Sequence, residues 1–534
     1  MSSLTKKNPM PRLLANLTPL ILGASCGLAQ GIGGDHPTLH TIPAPDASFA
    51  RSLTTGDLND DGYQDMVALS VNDSGHIVRA YDGVDASLLW ERNLSTANIS
   101  DTSLDTADFD QDGCDDVIYG FGLCCGASGP RVFVLSGPTG EELYHLNNLE
   151  TNDQYGIDVA ALGDIDFDGH PDFLVGSPHT DVGGQSFAGV AYVHSGVDGS
   201  IIGTVEPTSR TGTENFGSSV CGLEDQDDDG IDDFAVGMPG FSRGGDRQTG
   251  GVCIFSGLDL SPMNCHFLPL GIFQQYGASV ASAGDVDGDG KPNLLVGANI
   301  SGSGNRGAAY ILDASFEILY TLVPSGGSFY ANRVAGAGDV DEDGVPDFLV
   351  NQANPLRTFF YSGADARLIQ VFDGVRPSTR PGDVDGDGVP EIVLGSTAGV
   401  HAVRWRKFLD LEVTELSATS GAPIFLDLDF PPFEAGHGYA LLASLAGTGP
   451  ITIRGLSIPL TRDKILSRFV HDDAPTIFRE PRGFLDAEGN VTLTIRSRPR
   501  LAKGLGMTVH LAAVSHTGGR PVRSSLARSF TIVE

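Results

Sequence analysis

The chemistry in this 534-residue sequence is concentrated in oxygen-bearing side chains at a fixed spacing. The pattern Asp-x-Asp/Asn-x-Asp-Gly-x-x-Asp/Asn/Glu begins at Asp57, Asp108, Asp164, Asp225, Asp285, Asp339 and Asp383. Positions 1, 3, 5 and 9 are Asp57, Asn59, Asp61 and Asp65 in the first copy, then Asp108, Asp110, Asp112 and Asp116. The third and fourth copies place Asp164, Asp166, Asp168 and Asp172, and Asp225, Asp227, Asp229 and Asp233. The last three place Asp285, Asp287, Asp289 and Asn293; Asp339, Asp341, Asp343 and Asp347; and Asp383, Asp385, Asp387 and Glu391. Alternate residues 1, 3 and 5 can turn their oxygens toward one point. Glycine at position 6 permits the sharp turn, position 7 offers a carbonyl and position 9 closes the shell. Such a shell suits Ca²⁺, which takes about 6–8 oxygen ligands at roughly 2.3–2.6 Å; Mg²⁺, needing tighter octahedral geometry, is the second choice. Solvated Asp-Gly turns would explain one copy, but not seven.

Charge agrees with this reading. The chain has 33 Lys+Arg against 68 Asp+Glu, a net charge of −35, which excludes a nucleic-acid binder that works by neutralising phosphate. Of the 28 metal positions 26 are Asp or Glu, so much of the acidity is explained by ligation. Site 5, with Asn293, and site 1, with Asn59, are expected to be weaker.

The loops are not EF-hands, which need a bidentate Glu at position 12 and flanking helices. Position 12 is Ala68, Tyr119, Val175, Val236, Val296, Val350 or Leu394, within short apolar runs that read as buried strands. In the third repeat one strand is expected over 156–160, before the loop, and a second over 172–176. A third is expected over 189–193 and a fourth over 201–205. Four antiparallel strands in each repeat of about 40–60 residues indicate propeller blades. The seventh repeat lacks a fourth strand. The segment Thr38 to Ile42, which has no repeat of its own, is expected to supply it and hide an edge.

Phe216-Gly217, the Asp225 loop and Gly237-Met238-Pro239 together resemble the FG-GAP/VCBS-type repeat of integrin α-subunit propellers. Tyr155-Gly156 with Gly176-Ser177-Pro178, and Tyr276-Gly277 with Gly297-Ala298-Asn299, are close variants, whereas repeats 1, 2 and 7 show no clear Phe-Gly. The resemblance covers residues 36–407. It implies an all-β fold: a seven-bladed β-propeller with calcium-binding loops and up to seven structural Ca²⁺ ions. Residues 408–534 carry no acidic loop. Period-two runs there, such as Ile424/Leu426/Leu428 and Val491/Leu493/Ile495, with a turn over 486–490, point to a C-terminal β-sandwich.

Lys6, Lys7 and Arg12 precede a short apolar stretch and a small-residue site at Ala29, so residues 1–29 read as a signal peptide. Gly23 stands where a lipobox before Cys26 needs leucine, against lipidation. No later apolar run is long enough for a transmembrane helix. The expected location is therefore secreted or at the cell surface, as a monomer. Six cysteines remain after Cys26, and Cys253 with Cys265 is the candidate disulfide across a hairpin. Cys114 with Cys124 or Cys125 is a second pairing.

Catalytic signals are sparse. Gly240 to Gly244 matches G-x-S-x-G, but without the strand–turn–helix that makes the serine a nucleophile. No histidine pair has zinc spacing. The function expected is an adhesion or interaction scaffold for an extracellular protein or glycan. The alternatives are a polysaccharide lyase or glycosidase and a lectin-like propeller. The loops opposite the acidic ones are long and glycine-rich, and Phe187, Phe241, Arg243, Arg247 and Arg306 are the partner-binding candidates on them.

Overall fold

The computed structural model describes residues 38–405 except 47–48, 73–74, 96–101, 123–129, 148–152, 208–211, 243–247, 270–273, 301–305 and 325. Beyond these it describes 409–533 except 412–414, 418–422, 431–435, 448–450, 454–455, 459, 471–477, 480, 488–489, 497–504, 518–519 and 526–527. The proposed signal peptide lies outside the described residues. The chain divides into two compact units, one holding Thr38–Trp405 and the other Arg406–Glu534.

The first unit is built from four-stranded antiparallel sheets, one for each acidic loop. In the third repeat the strands are Val159–Ala161, Phe173–Ser177, Val190–His194 and Ile201–Val205, paired in sequence order. The second strand is wholly buried and the fourth largely open to solvent. That gradient explains why second strands are continuous apolar runs: they are covered on both faces. The last sheet departs from sequence order. Its strands Arg376–Pro377, Ile392–Ser396 and Gly399–Val403 are completed by Thr38–Pro43, with Thr41 opposite His401 and Ile42 opposite Val400.

The Phe-Gly and glycine-containing motifs acquire a physical reason. Tyr155, Phe216 and Tyr276 are at most 1 % exposed, and the glycines after them adopt φ of 83 to 86°. The Gly217 N–H donates to the Gly237 carbonyl of its own sheet. Gly237 in turn packs on the next sheet, where an added Cβ would lie 2.1 Å from the Gly277 carbonyl oxygen. Gly176 meets Gly217, and Gly297 meets Ala331, in the same way. The contact recurs between the last sheet and the first: a Cβ on Gly395 would lie 2.7 Å from the Ala50 Cβ. Phe49-Ala50 and Tyr330-Ala331 are thus Phe-Gly equivalents, with alanine at φ 54° and 57°. This corrects the reading that repeat 1 lacks the motif, because alanine tolerates the left-handed region at a cost. Gly237→Val should force two sheets apart and destabilise the protein by about 1–3 kcal/mol or more, read as a lower Tm; an unchanged Tm would show that the close approach is not structural.

The second unit contains a four-stranded sheet and a larger mixed sheet. One buried cluster draws Ile424, Leu426 and Leu493 from the first and Leu441, Leu511 and Phe530 from the second. A helix that the strand-only reading did not include, Lys464–Val470, begins after Asp463, whose Oδ1 accepts the Leu466 N–H at 2.6 Å.

Candidate functional site

Each acidic loop hangs between the first and second strands of its sheet and holds its carboxylates by the same backbone bonds. In the third loop Asp164 Oδ1 and Oδ2 accept the N–H groups of Asp168 and Gly169, at 3.1 and 2.9 Å. Asp166 Oδ1 accepts Asp168 N–H at 3.1 Å, and Asp168 Oδ1 accepts His170 N–H at 2.9 Å. The loop can close this tightly because two of its residues are left-handed. Glycine at position 6 is one (Gly169, φ 99°), as the sequence implied. Position 4 is the other, and sequence reasoning missed it: Asp60, Gln111, Phe167, Asp228, Gly288, Glu342 and Gly386 all have φ between 52 and 76°. Asp or Gly at four of these seven positions was the available signal.

The result is a set of convergent oxygens. One oxygen from each of Asp108, Asp110 and Asp116 lies within 4.8 Å of the others. The same holds for Asp164, Asp166 and Asp172; Asp225, Asp227 and Asp229; Asp285, Asp287 and Asp289; and Asp339, Asp341 and Asp347. A donor set made only of carboxylate and carbonyl oxygens, with mutual repulsion to relieve, fits a hard divalent cation.

Position 9 does more than close a shell. Asp65, Asp116, Asp172, Asp233, Asn293, Asp347 and Glu391 are all buried. Asp172 Oδ2 accepts Ile165 N–H within the loop at 2.9 Å, while Oδ1 accepts Gly196 N–H at 3.1 Å from the turn between strands three and four. Asp65, Asp116, Asp233 and Asp347 reach Gly83, Gly137, Gly257 and Gly363 likewise. In these five loops position 9 is therefore a strut between the acidic loop and the neighbouring turn. Burial pushes Asp65 and Asp116 up to about 7, and Asp172 and Asp233 up to about 6. In loop 5, Asn293 Oδ1 accepts Val286 N–H at 2.6 Å, and its Nδ2 is buried with no hydrogen-bond partner among the described residues.

The partner-binding candidates fall apart as a group. Phe187 is 42 % exposed and rests on the His179 ring at 4.7 Å, and Arg306 is exposed. Phe241 is a correction: it is 6 % exposed and packs against Phe267 in a tilted ring contact at 4.8 Å, so its ring belongs to the core and offers no docking surface. Arg243 and Arg247 lie outside the described residues, as do Cys124 and Cys125. Cys253 and Cys265 are joined by a disulfide across directly paired strands. Ser242, at the centre of the G-x-S-x-G match, accepts the Gln248 N–H at 3.0 Å in an inter-strand loop.

A cavity of about 1070 Å³ is lined by the first strands of six sheets. Its charges tie those strands together. Arg380 pairs with Asp105, whose Oδ2 accepts Ala161 N–H at 2.9 Å, and Asp158 Oδ2 accepts Val220 N–H at 2.9 Å.

A family model for the FG-GAP repeat matches residues 276–312, which span the fifth acidic loop between its first and third strands. Residues 276–312 of the chain thus match an FG-GAP repeat. Part of the chain is also similar to integrin α subunits. Over 210 residues the chain is 32 % identical to integrin alpha-5 of Xenopus laevis, covering 37 % of this chain and 19 % of that one. Over 222 residues it is 28 % identical to integrin alpha-V of Gallus gallus, covering 37 % and 20 %. Over 206 residues it is 29 % identical to human integrin alpha-IIb, covering 34 % and 18 %. The matched part thus spans about a fifth of these relatives. Among the described residues no helix is long and apolar enough to cross a membrane.

Proposed function

We propose that this FG-GAP protein is an exported, calcium-stabilised scaffold for adhesion or interaction. In this reading, residues 36–407 form a seven-bladed β-propeller and residues 408–534 a β-sandwich domain. The observation that carries the reading is the repetition of one loop, with the same internal hydrogen bonds, on successive four-stranded sheets, the last of which is completed by Thr38–Pro43. Repeated rigid loops suit a stabilising ion better than a catalytic one, since catalysis needs one distinguished site. The positions 1, 3 and 5 carboxylates would hold Ca²⁺, and position 9 would transmit its hold to the adjacent turn.

The partner, an extracellular protein or glycan, is expected on the loops opposite the acidic ones, where Phe187 and Arg306 stand. The test is retention of the mature protein on a panel of polysaccharides and cell-surface extracts, with Ca²⁺ and with EDTA, while released products are measured. Retention without products is the expected outcome, and new reducing or unsaturated ends would overturn it. Phe187→Ala should weaken retention about tenfold or more and leave Tm unchanged. Equal retention would remove that face from the interface.

A further inference from the structure

Six of the acidic loops are alike in one respect in which the seventh differs. Strand register aligns the residue that follows the third strand in every repeat: Asp82, Ser136, Ser195, Ser256, Asp313, Ser362 and Arg404. Where this residue is serine it is a neutral neighbour of the loop. Ser195 Oγ lies 3.2 Å from Asp168, and Ser362 Oγ lies 3.3 Å from Asp343, each a position 5 carboxylate. In the seventh repeat the chain does not turn into a fourth strand, because Thr38–Pro43 fills that place. The turn glycine is replaced by Trp405, and Arg404 points into the loop. Its Nη2 donates to the position 3 carboxylate of Asp385 and, at 2.6 Å, to the position 5 carboxylate of Asp387. Its Nε lies 3.6 Å from Oε1 of Glu391, at position 9.

We propose that loop 7 carries its own cation, the Arg404 guanidinium, and does not take calcium. The planar guanidinium meets two of the three carboxylates that would hold a divalent ion, at positions 3 and 5, and lies beside the position 9 carboxylate, so a second cation among them would be repelled. No other loop has this arrangement among the described residues. Arg367 approaches only one carboxylate of loop 6, Asp341, at 3.8 Å, and Lys291 meets Asp228, which is not at a ligand position. The consequence is that the sheet joining the two ends of the first unit keeps its charge balance without metal.

The inference rests on the calcium reading, and the test separates the two. Bound calcium per chain is counted by equilibrium dialysis and elemental analysis for the full-length mature protein and for Arg404→Gln, Asp385→Asn and Asp166→Asn. The expected result is one additional ion in Arg404→Gln, no change in Asp385→Asn and one ion fewer in Asp166→Asn. Equal counts in wild type and Arg404→Gln, with one ion lost in Asp385→Asn, would overturn the proposal and leave the calcium reading standing. Absence of bound calcium from all four proteins would overturn both. Circular dichroism confirms that each variant is folded, and the calcium count of Asp385→Asn decides between the outcomes if Arg404→Gln does not fold.

Discussion

Stripping calcium with EDTA should lower the melting temperature by on the order of 10–20 °C, and restoring the ion should recover it. An ion that binds only the folded chain stabilises it by about 2.7 kcal/mol per site at one hundred times its Kd, and several loops contribute together. The pH dependence should reverse sign between the two states. Burial raises the folded-state pKa of Asp65, Asp116, Asp172, Asp233 and Glu391 to between about 6 and about 8, above the ordinary carboxylate range. The folded chain therefore holds these protons more tightly than the unfolded chain. In EDTA this contribution is fully present only below the ordinary carboxylate pKa and is lost progressively as the pH rises to between 6 and 8, so Tm should be higher at pH 5 than at pH 8. With calcium the carboxylates must be ionised to bind, so Tm should rise over the same interval. Calorimetry at both pH values, with and without the ion, reads all four cases. A Tm indifferent to EDTA at pH 8 would sink the calcium reading.

The second large effect should come from the strand that completes the last sheet. Ile42 is 4 % exposed and packs with Leu53, Val393 and Val400. Ile42→Asp would bury an unpaired charge there and should cost about 3–5 kcal/mol, enough to release the strand. The expected readouts are a lower urea midpoint and proteolytic cleavage near residue 42 under native conditions. Ile42→Val, costing about 0.5–1.5 kcal/mol, is the control. Wild-type resistance in Ile42→Asp would mean that the first unit does not depend on this strand.

Much of this architecture could be read from residue spacing. The acidic loops announced themselves because their carboxylates recur at fixed intervals, and the closing strand followed from a shortage of one strand at the end and a surplus of one at the beginning. Other features were hidden for identifiable reasons. The left-handed turn at position 4 falls on Phe167, a residue that gives no hint of φ 64°. Phe49-Ala50 conceals a Phe-Gly equivalent because alanine stands in for glycine. Phe241 sits in a loop by sequence, yet its ring reaches Phe267 just past the fourth strand of the same sheet, a tertiary contact that no periodicity encodes. Arg404 became visible as a loop ligand only when strand register placed it beside Asp385 and Asp387. The helix at Lys464–Val470 is seven residues long, too short for an amphipathic period to stand out.

Thr41 and His401, hydrogen-bonded neighbours in the finished sheet, are 360 residues apart in the chain. A ribosome working at roughly 5–20 residues per second needs on the order of 20–70 s to make that interval. Throughout it the first strand to be synthesised must wait as an unpaired edge, open to pairing with another nascent chain. The six intervening sheets can each assemble from local contacts as they appear, whereas the seventh must await the end of the repeats. Maturation should therefore have a slow final step whose yield, unlike that of the earlier ones, falls with the crowding of sister chains.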